Sequence, residues 1–323
     1  MSGADWRPTA ALATLRHRAG MLAAARRFFA ERGVLEVETP ALSASAVSDP
    51  QIESLGTRIE GMPGPSYLAT SPEFPMKRLL AAGSGDIYQI CKVFRDGEVG
   101  RWHNPEFTLI EWYRVGFDDG ALMQETEALV AALLSPARRL APATRLTYAE
   151  ALRIHAGVDA WDADEAALAQ AAARLGVACE ASLDRDARLD LLMGLIVGPR
   201  LGRENRPTFI CDYPPSQASL ARLRPGPLAV AARFELYLDG VELANGFHEL
   251  TSATEQRARF AADNSLRRSR GQPEVQVDER LLDALAAGLP DSAGVALGFD
   301  RLVALAAGAA SLNEVMAFPI GNA

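Results

Sequence analysis

The sequence has only three cysteines, Cys91, Cys179 and Cys211, far apart and without a CxxC pair. That spacing excludes a zinc knuckle and a disulfide framework, and it fits free thiols in a reducing cytoplasm. No apolar run reaches the ~18 residues of a membrane helix, and the N-terminus has no apolar segment followed by a small-residue cleavage site, so neither a membrane nor secretion is indicated. Positive charge is also scarce: 33 Lys and Arg stand against 41 Asp and Glu, a net charge of -8, which leaves no global field to collect nucleic acid. No GxxxxGK[ST] occurs, and Gly83-Ser84-Gly85 lacks the third glycine of GxGxxG, which argues against a P-loop or a Rossmann site. His17, His103, His155 and His248 show no HExxH or other ligand spacing and read as surface or hydrogen-bonded side chains. No Ser/His/Asp or Cys/His order stands out.

What is there is a globular chain of 323 residues, 49% hydrophobic and 23% charged, long enough for two units or for one catalytic domain with an insertion. Leu12, Leu15, Ala19, Leu22 and Phe29 follow helical spacing, with Gly33 as the closing residue. VLEVETPAL reads as a strand ending at Pro40, and SASAVSDP as an exposed connection. Residues 87–96 and 105–115 read as two strands joined by the loop GEVGRWHN. From about 118 to about 204 the pattern turns helical, with a capping box at Thr147 and Glu150, Asp162 opening ADEAALAQAAARLG, and a third helix in LDRDARLDLLMGLI. Strands return at PTFICDYP and in RFELYLDGVELANGF, where Asp239-Gly240 is a two-residue hairpin signal. GVALGFDRLVALAAG reads as a strand passing through Gly298 into a helix that ends at Gly308.

Strand alternation gives chemistry a place. Phe107, Leu109, Glu111 and Tyr113 share one face, and Gln89, Cys91, Val93 and Arg95 share a face of the partner strand, so an acid and a cation can project over one surface. A cross-strand ion pair is the simpler alternative. Glu242 and Glu249 flank an Asn-Gly turn, where they could serve Mg2+ or an ammonium group, and Arg301 stands in the first turn of a helix whose N–H groups attract anions.

In chain order, GVLEVETPAL, VFRDGEVGRWHNPEFTLIEWY and GVALGFDRL resemble motifs 1, 2 and 3 of class II aminoacyl-tRNA synthetases. TSPEFPMKRLL and ELANGFHEL are similar to the lysyl branch. Lysyl-tRNA synthetases carry an anticodon-binding barrel before motif 1, whereas here motif 1 begins near residue 33 after a single helix. That spacing, the acidic charge and PPSQASLA make the chain resemble the lysyl-tRNA synthetase paralogues that modify elongation factor P.

The resemblance implies an α+β fold over residues 1–323, an antiparallel sheet flanked by helices with a helical insertion and no anticodon-binding domain. It implies a ligase that activates lysine or (R)-β-lysine with ATP and Mg2+, transfers it to a lysine of elongation factor P, forms a homodimer through motif 1 and binds tRNA only weakly. By family position, Arg95 would hold the α-phosphate and substrate carboxylate and Arg301 the γ-phosphate. Phe107 would stack on adenine beneath Arg301, with Asp96, Gly97 and Asn104 around the nucleotide and Gly298 admitting it to the backbone. Glu242 would hold Mg2+, with Leu243 contributing backbone. Glu73 and Glu249, supported by Ser71, Pro72, Glu111 and Tyr113, would pair the substrate amino groups, and Ala296 stands where the lysyl enzymes typically have glycine. Motif 2 departs from the usual Arg-Asn-Glu: here it reads Arg95-Asp96-Gly97, and either Asp96 or Glu98 takes the glutamate's part. A truncated synthetase charging tRNA and a catalytically silent subunit are the rival readings.

Overall fold

The computed structural model describes residues 6–135 and 138–323. Contacts divide the chain into two compact units, one made of Phe117–Leu250 and one made of the segments on either side of it. The first segment supplies α1 (Leu12–Ala30), β1 (Leu35–Glu36), β2 (Leu42–Ser43), β3 (Gly56–Thr57), β4 (Ser66–Leu68), α2 (Glu73–Ala81), β5 (Ile87–Phe94) and β6 (Glu106–Val115). The inserted unit holds α3 (Asp119–Leu134), β7 (Thr144–Thr147), α4 (Tyr148–Ala156), α5 (Glu165–Arg174), α6 (Arg185–Leu192), β8 (Thr208–Tyr213), β9 (Leu223–Arg224), β10 (Val230–Leu238) and β11 (Val241–His248). The last segment adds α7 (Ala253–Ser269), α8 (Glu279–Gly288), β12 (Ser292–Gly298) and α9 (Phe299–Ala307). Among the described residues no helix is long and apolar enough to cross a membrane.

In the first unit the strands run in the order β1-β5-β6-β12, antiparallel except for the short parallel β1 at the edge. A parallel neighbour needs a long crossover, and the connection from β1 to β5 carries the small β2-β4-β3 sheet and α2. One face of the sheet buries Tyr88, Ile110 and Trp112. Phe29 of α1 stacks on Tyr88 at 4.3 Å and lies 5.4 Å from Trp112. Removing each of these large apolar side chains from water stabilises the fold by about 1.5–3 kcal/mol. The opposite face buries polar side chains too, Gln89 and Glu111 among them.

The buried stripe of α1 corrects the sequence expectation. Met21, Ala25, Phe28 and Phe29 are buried, whereas Leu12 and Ala19 are exposed and Leu15 and Leu22 only half-buried. The helix is rotated because Arg18 must face inward: its guanidinium reaches buried Asp300 at 2.5 Å and the Thr108 hydroxyl at 2.8 Å. Arg18, Met21, Ala25, Phe28 and Phe29 therefore form the inward stripe. Gly33 closes the helix as expected, with φ of 68° and the following Val34 amide donating to the Phe29 carbonyl at 3.1 Å.

The inserted unit has the strand order β11-β10-β8-β7, with β9 on β10. Its own core gathers Tyr148, Leu152, Leu168, Leu189, Ile210 and Tyr213. The stretch expected to be wholly helical contains β7, a four-residue strand parallel to β8, and α4–α6 form the crossover between them. So short an edge strand offers too few alternations to be read from sequence. The Thr147–Glu150 capping box is present, but α5 is opened by Asp164, not Asp162; Asp164 accepts from the Ala167 amide at 2.8 Å. Asp239 and Gly240 both take positive φ, 54° and 80°, and turn β10 into β11.

Candidate functional site

Register places the expected side chains on one face of the first unit's sheet. Gln89 and Ala296 both lie opposite Glu111, Val93 lies opposite Phe107, and Gly294 and Gly298 lie opposite Tyr113 and Leu109. Directly opposed residues of antiparallel strands share a face, so a floor of small residues on β12 adjoins the acid and the phenol on β6.

Glu111 is 2% exposed and is the centre of a hydrogen-bonded cluster. Ser71 donates its hydroxyl to Oε2 at 2.7 Å, and Tyr113 donates to Oε1 at 2.8 Å. Ser71 Oγ also accepts from the Glu73 amide at 3.0 Å, which ties the start of α2 to β6. Pro72 sits at the N-cap of α2 with Glu73 in the first turn, where the helix field favours an anion. One turn on, Lys77 is 1% exposed and donates to Glu73 Oε1 at 2.6 Å. A cavity of ≈ 190 Å³ opens beside Ser71, Glu73, Phe74 and Leu42, with Arg78, Asp278 and Arg280 also on its wall, far more than one water needs. The cluster itself sets two carboxyl groups, Glu73 and Glu111, beside one buried cation, Lys77.

Burial, then the charge of Glu73, pushes the Glu111 carboxyl up to about 7, against the lowering effect of the Ser71 and Tyr113 hydrogen bonds and Lys77. An acid raised in the folded state adds stability below its ordinary value of 4.5 and loses it as pH rises through about 7. The ligand-free protein is thus expected to lose up to about 3 kcal/mol across that window, and Glu111→Gln to flatten the slope. Thermal melts at a series of pH values check this; an identical slope in the variant would contradict it.

On the same face, Arg95 ends the β5 line. Its guanidinium carbon lies 5.1 Å from the centroid of the Phe107 ring, and NH1 pairs with Glu98 Oε1 at 3.4 Å. Asp96 instead accepts from the Gly97 amide at 2.8 Å, inside a turn where Gly97 has φ of 75°. Of the two acids that could replace the missing motif 2 glutamate, Glu98 is the one against Arg95. Asn104 is 5% exposed; its amide donates to the Glu106 carbonyl at 2.6 Å and its Oδ1 accepts from the Ile320 amide at 2.9 Å, so it fixes the loop base to the chain's C-terminal segment.

Gly298 is the N-cap of α9, and Arg301 follows in the first turn. Arg301 donates to the Trp102 carbonyl at 3.1 Å and meets His103 Nε2 at 2.8 Å. Because a guanidinium only donates, Nε2 is the acceptor and the imidazole is neutral. Burial and the neighbouring Arg301 both lower the His103 pKa, in keeping with that state. Beside Arg301, Asp300 accepts from the Thr108 amide at 2.6 Å and anchors α9 to β6.

The inserted unit carries Glu242, Leu243 and Glu249. A register shift between Leu236 and Tyr237 makes Leu243 the extra residue of a bulge and puts Glu242 and Asn245 on the face of Tyr237 and Glu235. Glu235 is committed to Arg233 at 2.6 Å and to the Tyr237 hydroxyl at 2.7 Å. Glu242 stays half-exposed, while Glu249 is 1% exposed and its backbone bridges Ala221. Among the described residues no three His, Cys, Asp or Glu side chains gather into a metal cage. Mg2+ at nucleotide sites takes one or two carboxylates and completes its shell with substrate phosphates and water, so one accessible acid such as Glu242 fits the ion.

Sequence reasoning missed Lys77, His103 as a partner of Arg301, and the Arg233–Glu235–Tyr237 network. Lys77 had a signal: Glu73 and Lys77 are spaced i, i+4 on a helix. Nothing in the linear pattern marks His103.

The model of the family described as tRNA synthetases class II (D, K and N) matches residues 3–322. Curated relatives named "Elongation factor P--(R)-beta-lysine ligase" from Salmonella dublin, Salmonella paratyphi B and Salmonella heidelberg are each 50% identical over 327 residues, covering 99% of this chain and 99% of theirs. With motifs 1 to 3 in order and a match along almost its whole length, the chain belongs to the class II tRNA synthetases of the D, K and N group.

Proposed function

We propose that the protein activates lysine or (R)-β-lysine with ATP and passes the aminoacyl group to a lysine side chain of elongation factor P. The observation that carries the activation step is the Ser71–Glu73–Glu111–Tyr113 cluster on the face that also bears Arg95 and Phe107. Identity to relatives whose names state this acceptor supports the transfer step. The catalytic domain is read as one functional whole of residues 1–323, working in the cytoplasm.

Glu73 and Glu111 neutralise the substrate's ammonium groups, oriented by Ser71, Pro72 and Tyr113, and the family resemblance assigns the same part to Glu249. Arg95 draws the substrate carboxylate and the α-phosphate together; the carboxylate oxygen bonds to the α-phosphorus as the bond to the bridging oxygen breaks and pyrophosphate leaves. Phe107 offers its ring to adenine; Asp96, Gly97, Asn104, Leu243 and Gly298 line the nucleotide through side chain or backbone. Arg301 carries the γ-phosphate charge, and Glu242 would hold Mg2+, which supplies further neutralisation of the phosphates. In the second half-reaction the acceptor amine attacks the carbonyl carbon, AMP leaves, and the amine's proton passes to solvent.

Lysine-dependent exchange of labelled pyrophosphate into ATP, with no tRNA or protein acceptor added, tests the activation step. Exchange with at least one lysine isomer is expected; none with any isomer would promote the silent-subunit reading. Homodimerisation through the motif 1 region is part of the same proposal, supported by Leu12, Leu35 and Leu42, which stay 63%, 55% and 44% exposed along α1, β1 and β2. Sedimentation at micromolar concentration should give twice 34.6 kDa; a clean monomer refutes the dimer.

A further inference from the structure

We propose that Arg267 and Glu53 form a positioning pair that holds the motif 2 turn, and through it Arg95, in the geometry that receives ATP. Arg267 stands in the last turn of α7, outside all three motifs, yet it is only 2% exposed. All three guanidinium nitrogens donate: Nε to the Pro273 carbonyl at 2.8 Å, Nη1 to the Asp49 carbonyl at 3.3 Å, and Nη2 to both Glu53 oxygens at 2.9 and 2.8 Å. Burying a guanidinium is costly unless it is paired, so these partners hold the side chain in one geometry. The loop it grips is fixed again by Ser48, whose hydroxyl donates to Asp263 Oδ2 at 2.6 Å, and by Gln272, whose amide donates to the Pro50 carbonyl at 3.1 Å.

The grip reaches the site through a single backbone contact. The Glu53 carbonyl accepts from the Asp96 amide at 2.9 Å, forming an isolated bridge between those two residues. On its other side, the Arg95 amide donates to the Pro105 carbonyl at 2.9 Å. Arg95 is therefore pinned toward β6 by Pro105, while the turn Asp96-Gly97 that follows is pinned toward α7 by Glu53. In this chain the turn is glycine-containing, with Gly97 at positive φ, and glycine brings the largest conformational entropy to be restrained. The Arg267–Glu53 pair supplies that restraint from outside the motif. Ser71, Glu73, Glu111 and Tyr113 are held by α2 and β6 instead, and meet Arg95 only next door, where its Nε donates to the Thr70 carbonyl at 3.4 Å.

The kinetic consequence rests on the proposed ATP-dependent activation; the structural consequence does not. Glu53→Gln, a near-isosteric change in a half-exposed side chain, is expected to raise KM for ATP on the order of 10-fold and, because Arg95 also meets the lysine carboxylate, to raise KM for lysine as well, since misplacement of a binding arginine acts on the ligands it positions. Arg267→Lys, which keeps the charge and loses the fork, should be milder than Arg267→Met. Hydrogen–deuterium exchange on the same ligand-free proteins should show lost protection in peptides spanning 95–98, with protection retained in α2 and β6. Exchange measured this way stands even if no lysine isomer is activated, so failure of the function and failure of the latch are told apart. Unchanged protection at 95–98 in both Glu53→Gln and Arg267→Lys would overturn the proposal. So would protection lost in α2 and β6 as fully as at 95–98, which would make the pair a general stability staple.

Discussion

Arg301→Ala is expected to lower lysine-dependent pyrophosphate exchange on the order of 10²-fold or more. Arg301 is the half-buried cation of the first turn of α9, three residues after Gly298, where the free amides of a helix start favour an anion. Its guanidinium is oriented before any ligand arrives, by the Trp102 carbonyl and by His103. A preoriented donor aimed at developing phosphate charge typically contributes 10²- to 10³-fold to rate, about 2.7–4 kcal/mol. Glu242→Gln should lose a comparable factor by removing the proposed Mg2+ ligand. The fold should survive Arg301→Ala, because the buried anchor of α9 is the neighbouring Asp300, paired with Arg18 and the Thr108 amide. Steady-state exchange alongside circular dichroism separates the two effects. A well-folded Arg301→Ala enzyme with the wild-type rate would remove Arg301 from the nucleotide site.

The second large effect is expected at Ala296. Its methyl lies opposite Glu111, on the site face between Gly294 and Gly298, so it is the one side chain on that stretch of β12 floor. That methyl should narrow the space near the substrate α-carbon and disfavour an α-amino group relative to an amino group on the β-carbon. A single methyl in a packed pocket is worth about 1–3 kcal/mol, or roughly 10- to 200-fold in kcat/KM. Ala296→Gly should therefore raise kcat/KM for α-lysine relative to (R)-β-lysine, with ATP affinity nearly constant. Competition between the two isomers at limiting enzyme measures the ratio. If it does not move, discrimination lies with Glu73, Tyr113 or Glu249, and Ala296 merely packs in the sheet.

Local chemistry was legible where residue spacing and geometry are linked directly. Strand alternation placed Glu111, Tyr113 and Phe107 on one face with Arg95, and the register of β5, β6 and β12 agrees. The Asp239-Gly240 turn, the Thr147–Glu150 box and the strand-to-helix step at Gly298 follow the same logic, since each depends on residues a few positions apart. What escaped depends on partners far away in the chain. The inward face of α1 is chosen by Asp300, 282 residues beyond Arg18 (300 minus 18), and no helical periodicity within Leu12–Ala30 encodes that choice. Likewise β7 exists because β8 offers it an edge, and Arg267 matters because Glu53 leads to Asp96. The departure at Arg95-Asp96-Gly97 was visible in sequence, but which acid meets Arg95 required the turn's geometry.

The most direct test of the account is the intact mass of elongation factor P after incubation with this enzyme, ATP, Mg2+ and either lysine or (R)-β-lysine. The account predicts the gain of one aminoacyl group on one lysine, dependent on ATP, absent with Arg301→Ala, and obtained without tRNA. An unmodified factor with both isomers, under conditions in which the same preparation carries out pyrophosphate exchange, would contradict the proposed acceptor.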